Sequence, residues 1–266
     1  MVPKVGAVRI HVVSDVHGST AALARAADGA DALICLGDLI LYLDYADSSQ
    51  GIFADLFGPE NTARFVELRT AGRFAEAHEW TAGMWADVVR REGQDRRSLM
   101  DARVRAQYAE TFAAMPEPAY LTFGNVDIPA FWPDYLRPGH TVLDGEVTEI
   151  GGLRFGFVGG GLVSPMRTPY ELDEETFAAK VAALGEVDVL CAHIPPAIPE
   201  LCYDVVARRF EHGSVAILEH VRATQPRMVL FGHVHQPLVR RARIGRTECV
   251  NVGHFRGTGA PYVLVY

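Results

Sequence analysis

Val8-Arg9-Ile10-His11-Val12-Val13-Ser14-Asp15-Val16-His17-Gly18 is an apolar run that stops on an acid, a histidine and a glycine. Ser19 then offers a helix N-cap and Gly29 a helix stop, and Ala32-Leu33-Ile34-Cys35-Leu36 is a second apolar run that ends on Gly37-Asp38. A strand over 8–14, a loop over 15–18, a helix over 19–28 and a strand over 32–36 make a β-loop-α-β unit. Such a unit requires parallel pairing in at least part of a sheet.

Three later runs end in the same manner. Ala119–Phe123 leads to Gly124-Asn125, Val187–Ala192 to His193, and Met228–Phe231 to Gly232-His233-Val234-His235. Side chains at strand ends converge on one rim of a sheet, so these oxygen and imidazole donors are expected to meet. Asp-x-His and Gly-Asp are each common in surface loops; the weight lies in the ordered set. An acid is disfavoured inside an apolar strand unless it has a partner, which singles out Asp38. A carboxylate can bridge two cations with its two oxygens, and Asp38 is the candidate bridge. Imidazole and carboxylate donors without thiolate suit Mn, Fe, Zn, Co or Ni better than Ca. Two such ions about 3.5–4 Å apart can share a hydroxide as nucleophile and neutralise a phosphate's developing charge. Gly18, Gly37, Gly124 and Gly232 let the backbone turn sharply beside the donors.

Between the second and third donor-bearing strands, residues 44–118 show helical periodicity. Phe74, Ala77, Thr81, Met84, Trp85 and Val88 form one stripe, and Met100, Val104, Tyr108, Phe112 and Met115 a second that Pro116 stops. This is a helical insertion. It leaves after Asp38 and returns before Asn125, so it is expected to overhang the donor rim and restrict substrate size; a layer packed on the core without contact to substrate is the alternative. Thr141–Ile150 and Leu153–Val158 read as a hairpin around Gly151-Gly152. Helices are expected from Asp173 to Gly185 and from Ser214 to before Pro226, and strands alternate with turns from Pro237 to Tyr266.

The 266 residues are 49% hydrophobic and 22% charged, values of an ordinary globular chain that can bury one sizeable core. A net charge of −8 argues against nucleic acid held on a broad basic face, and the arginines between Arg90 and Arg105 are interleaved with acids. No apolar stretch is long enough to span a bilayer, and the start of the chain does not read as a signal peptide, so no membrane partner is expected. Cys35, Cys191, Cys202 and Cys249 show no Cys-x-x-Cys spacing and suit a reducing, cytoplasmic setting. Nothing in the sequence specifies an oligomeric state.

In order and type, Asp15-x-His17, Gly37-Asp38, Gly124-Asn125-x-Asp127, His193 and Gly232-His233-x-His235 resemble the motif set of the calcineurin-like metallophosphoesterases. The resemblance spans residues 1–266 as one domain, apart from the 44–118 insertion, which would be a cap. It implies an α/β fold, a four-layer αββα sandwich of two mixed sheets. It also implies a hydrolase with two divalent transition-metal ions, manganese among the candidates. Asp15, His17, Asp38 and His235 would hold one ion, and Asp38, Asn125, His193 and His233 the other, with Asp38, Asn125 and His193 serving catalysis as well. The substrate would be a phosphate ester, with phosphodiesters preferred. The alternatives are a phosphomonoesterase acting on nucleotides or proteins, and a non-catalytic metal-binding interaction scaffold.

Many members of that family carry His at the position of Val126, where it contacts substrate and is assigned a leaving-group acid role. The departure here resembles a bacterial and archaeal branch with Gly-Asn-x-Asp, often associated with phosphodiesters. Asp127 would then orient a ligand histidine, or serve as a structural cap. Asn251-x-Gly253-His254 stands where this branch often has Asn-Pro-Gly-Ser, so His254 and Arg256 are candidate substrate contacts, and Arg167 after Gly159-Gly160-Gly161 is another; ordinary turn roles are the alternative. His11, His78, His140, His212 and His220 read as structural or solvated.

Overall fold

The computed structural model describes residues 7–266. Two compact units divide the chain: one takes the chain up to Leu39 together with Thr111–Tyr266, the other Ile40–Glu110.

In the larger unit, strand Arg9–Val13 pairs parallel with Ala32–Cys35, which pairs parallel with Ala119–Leu121, and that with His140–Val142. Tyr262–Val265 closes the other edge antiparallel to Arg9–Val13, giving a mixed five-stranded sheet. A six-stranded mixed sheet runs Arg241–Ile244, Thr247–Asn251, Met228–Phe231, Val189–Ala192, Leu153–Val158, Glu146–Ile150, and its four central strands are parallel. The expected α/β sandwich of two mixed sheets is the observed fold.

Alternation decides which faces meet. Ile10, Val12, Ile34 and Leu36 from the first sheet pack with Phe155, Phe157, Val189, Cys191, Leu230 and Val250 from the second, forming the core between the sheets. The intervening residues of the second sheet, among them Val158, Leu190, Ala192, Val229 and Phe231, face outward. They bury Phe177 and Val181 of helix Glu174–Ala183 and Ile217 and Val221 of helix Val215–Thr224. Both helices start on the expected caps: Asp173 accepts from Thr176 N at 2.7 Å and Ser214 Oγ from Ile217 N at 3.1 Å.

Two elements differ from the sequence reading. The first helix spans only Thr20–Leu23, and the Ser19 side chain makes no capping bond. Beyond it the backbone tightens into i→i+3 turns such as Ala26 N to Leu23 O, and the Ala26 carbonyl meets His11 Nδ1 at 2.8 Å instead of continuing a helical ladder. The segment expected as one hairpin arm over 141–150 is two strands. His140–Val142 belongs to the first sheet and Glu146–Ile150 to the second, so the chain changes sheets at residues 143–145.

The smaller unit is helical. The expected stripes lie on helix Phe74–Glu92, which buries Ala77, Trp85 and Val88 but leaves Phe74 exposed, and on helix Arg96–Ala114, which ends one residue before Met115 and whose last residues belong to the larger unit. Two shorter helices, Ile52–Phe57 and Pro59–Thr70, precede them. Phe53 stacks on Phe65 at 4.3 Å between centroids, and Phe57 meets Trp85 edge-on at 4.9 Å. No described helix is long and apolar enough to cross a membrane.

Candidate metal centre

Parallel pairing sets the C-terminal ends of the donor-bearing strands at a common edge of each sheet. The loops beyond those ends continue the pairing: Asp15 N donates to Gly37 O at 3.0 Å and His17 N to Asp38 O at 2.9 Å. Asp15, His17, Asp38 and His233 all have left-handed backbones, with φ of 57, 41, 56 and 66°. Gly37 is at φ 93°, and a Cβ there would lie 1.9 Å from Gly124 N, so the second and third loops touch through bare backbone. A Cβ on Gly232 would fall 2.0 Å from Ser14 Oγ and 2.3 Å from Asp15 Oδ2, so the fifth loop lies equally close to the first.

All seven expected donors come together, in two groups. In the first, the donor atoms of Asp15, His17 and Asp38 lie within 4.8 Å of one another, as do those of His17, His235 and His254. His17 Nε2 faces His235 Nε2 at 3.3 Å, and His235 Nε2 is 3.4 Å from Asp15 Oδ1. In the second, Asn125 Oδ1 is 2.9 Å from His193 Nε2 and 3.0 Å from His233 Nδ1. Asp38 Oδ2 stands between the groups, 3.8 Å from His17 Nε2 and 3.5 Å from His193 Nε2.

Each carboxylate is tethered at one oxygen and open at the other. Asp15 Oδ2 accepts from His233 N at 3.0 Å, while buried Oδ1 lies 3.4 Å from His235 Nε2 and has no hydrogen-bond partner. Asp38 Oδ1 accepts from Val126 N at 3.0 Å. Of the two Asp38 oxygens expected to divide between two cations, Oδ2 faces His17 and His193, and Oδ1 holds the Val126 amide. His193 Nδ1 lies 2.9 Å from the Leu36 carbonyl, which fixes a proton on that nitrogen and directs Nε2 to Asp38 and Asn125. An orphaned buried carboxylate oxygen, imidazole nitrogens face to face and an oriented Nε2 are the donor set that divalent transition cations require, so the residues fit such ions.

The electrostatics agree. Burial works to raise the Asp15 carboxyl, but the imidazoles of His235, His193 and His17 hold it well below the usual carboxylate range. Asp38 is likewise raised by burial and lowered further by His193 and His17, with a net downward shift. Burial disfavours protonated His193, yet Asp38 and Asp15 raise it to about 9, whereas burial and the charge of His193 push His233 down to about 4. Two buried acids thus draw positive charge into the site.

Of the other candidates, Asp127 proves to be the cap: its carboxylate accepts from Asp38 N, Leu39 N and Gly124 N at 2.8, 3.0 and 2.8 Å. Phe255 N and Arg256 N donate to Ser14 O and Asp15 O, which sets His254 and Arg256 beside the first group. His254 stacks on His235 at 3.9 Å, and Arg256 Nη1 donates to His17 O at 3.0 Å. Arg167 is exposed and is tied to Ser164 O through its own backbone N–H, not to the donor groups.

Sequence reasoning missed two supports. Asn251 Nδ2 donates to the carbonyls of Gly232 and Val234, pinning the turn that carries His233 and His235. Asn125 Nδ2 donates to Thr168 Oγ1 at 3.0 Å, and Thr168 belongs to a loop built around Glu171. The Asn251-x-Gly253 turn signal could have led to the first; no local signal leads to the second. A cleft beside the second group is lined by Asn125, His233, Ser164, Met166, Glu171 and His212.

A family model described as calcineurin-like phosphoesterase matches residues 8–237. Among curated proteins, none matches the chain in sequence. The crystal structure of TT1561 from Thermus thermophilus is similar, with a TM-score of 0.54 and 14% identity, over 96% of this chain and 97% of that one. At that identity the likeness concerns the fold.

Proposed function

Because the chain belongs to the calcineurin-like phosphoesterase family, we propose that it is a di-metal phosphoesterase that favours phosphodiesters. The observation that carries the two-ion reading is Asp38 Oδ2, which faces His17 on one side and His193 on the other. Asp15, His17, Asp38 and His235 would hold one ion, and Asp38, Asn125, His193 and His233 the second. Divalent cations of the Mn, Fe, Zn, Co or Ni class would supply positive charge against the phosphate oxygens and acidify a water for in-line attack on phosphorus.

The chain's own groups do the positioning. The Leu36 carbonyl turns His193, Val126 N holds Asp38, and His233 N holds Asp15, so each donor is oriented by the backbone of a neighbouring loop. His254 and the guanidinium of Arg256 sit where an anionic ester could be oriented. Val126 offers no proton to the departing alkoxide, and the Gly124-Asn125-Val126-Asp127 motif, similar to the branch associated with diesters, supports diester over monoester hydrolysis.

The test is kcat/KM for bis(4-nitrophenyl) phosphate against 4-nitrophenyl phosphate, which share a leaving group. Higher turnover of the diester is expected; a monoester preference would make the protein a phosphatase.

A further inference from the structure

Asn125 presents an amide, and an amide can face the histidines with either its oxygen or its nitrogen. Only the oxygen can bind a cation. What sets the choice lies in the loop that follows strand Leu153–Val158.

Glu171 is the hub of that loop. Oε2 accepts from Ser164 N at 2.9 Å, and Oε1 accepts from Ser164 Oγ, from Thr168 N at 3.0 Å and from Thr168 Oγ1 at 2.8 Å. Burial raises the Glu171 carboxyl, but these donors from Ser164 and Thr168 bring it below its ordinary range, so it is an acceptor at neutral pH. A hydroxyl has one proton. Thr168 gives its proton to Glu171, so toward Asn125 it has only lone pairs to offer. Asn125 Nδ2, at 3.0 Å, must therefore be the donor, and Oδ1 is left facing His193 and His233. The reverse orientation would set an amide oxygen against a hydroxyl oxygen with no proton between them. A backbone bond from Tyr170 N to Asn125 O at 2.9 Å fixes the main chain of the same residue.

We propose that Thr168, polarised by Glu171, is a positioning residue that locks the Asn125 amide with its carbonyl oxygen toward the second cation site. This rests on the reading of Asn125 as a ligand. Thr168 acts through Asn125 and takes no part in holding the cation itself.

The test is calorimetric titration of the metal-free protein with Mn²⁺, alongside thermal unfolding to confirm the fold. Asn125→Ala identifies the binding event that belongs to Asn125. Thr168→Val is expected to weaken that event about 10–100-fold, the range for partners that orient a ligand, and to leave the other event as in the parent. Thr168→Ser restores the hydroxyl and should bring the affinity back; Thr168→Ala replaces the valine variant if that one fails to fold. Loss of one event in Asn125→Ala with parent affinity in Thr168→Val overturns the proposal alone. Two parent-like events in Asn125→Ala overturn the ligand reading beneath it. Equal weakening of both events, or no recovery with serine, would mean a general defect of the loop and also overturns the positioning role.

Discussion

Val126 donates its backbone N–H to Oδ1 of Asp38 at 3.0 Å, while Oδ2 of the same carboxylate faces both groups of histidines. In the proposed arrangement this one side chain contributes to both cation sites.

Asp38→Ala is accordingly expected to lose both ions, not one. Elemental analysis of the purified variant checks this, with the parent holding about two ions per chain. A full complement in the variant removes Asp38 from the bridging role.

The side chain of Val126 carries a separate expectation. With no imidazole there, rate should depend steeply on leaving-group pKa. Val126→His should accelerate esters with poor leaving groups by about 10–100-fold while those with good leaving groups gain little. A leaving-group series on both proteins, with metal content measured in each, decides it; a flat series on the parent would make another group, His254 first, the proton donor.

What could be read from the sequence depended on whether the signal was local. Each donor stands where an apolar run stops, so Asp15, His17, Asp38, Asn125, His193, His233 and His235 were legible from pattern and strand ends. The β-loop-α-β unit announced parallel pairing, whereas the two-sheet sandwich was implied by the resemblance of the ordered motifs to the metallophosphoesterases. The exchange of sheets after Val142 was not legible, because apolar alternation looks the same in either sheet. Nor was the role of Thr168, which lies 43 residues from Asn125 and reaches it only through tertiary folding. Asp127 shows the opposite limit. The resemblance left it between orienting a histidine and capping, and only the fold brings three backbone amides to its carboxylate.

Gly232→Ala tests the close contact of the first and fifth loops. The added carbon would lie 2.0 Å from Ser14 Oγ and 2.3 Å from Asp15 Oδ2. Loss of about 1–3 kcal/mol in denaturant unfolding of the metal-free protein is expected, together with weaker metal binding. Parent stability with parent metal affinity would show that the loops separate without penalty.

Lys180, Asp144 and Tyr170 form a triangle of hydrogen bonds. Lys180 Nζ donates to Asp144 Oδ2 at 2.6 Å and to Tyr170 OH at 2.8 Å, and Tyr170 OH donates to Asp144 Oδ2 at 2.6 Å. The Lys180 and Asp144 side chains are only 19% and 13% exposed, so screening by solvent is limited. Lys180→Met should lower stability by about 1–3 kcal/mol. Equal midpoints in thermal unfolding of parent and variant would reduce the triangle to a surface contact.

The left-handed backbones of Asp15, His17, Asp38 and His233 have a consequence for the cell. Each holds a side-chain-bearing residue in a conformation that costs about 1 kcal/mol, and two of the four are buried acids. The metal-free protein therefore carries this strain as a standing thermodynamic burden, which cations held at the proposed sites would offset in proportion to the logarithm of their free concentration. Folded lifetime, and with it resistance to proteolysis, should rise and fall with divalent-metal supply. Metal starvation would then deplete the protein itself as well as silencing it, a response visible as falling abundance at constant synthesis.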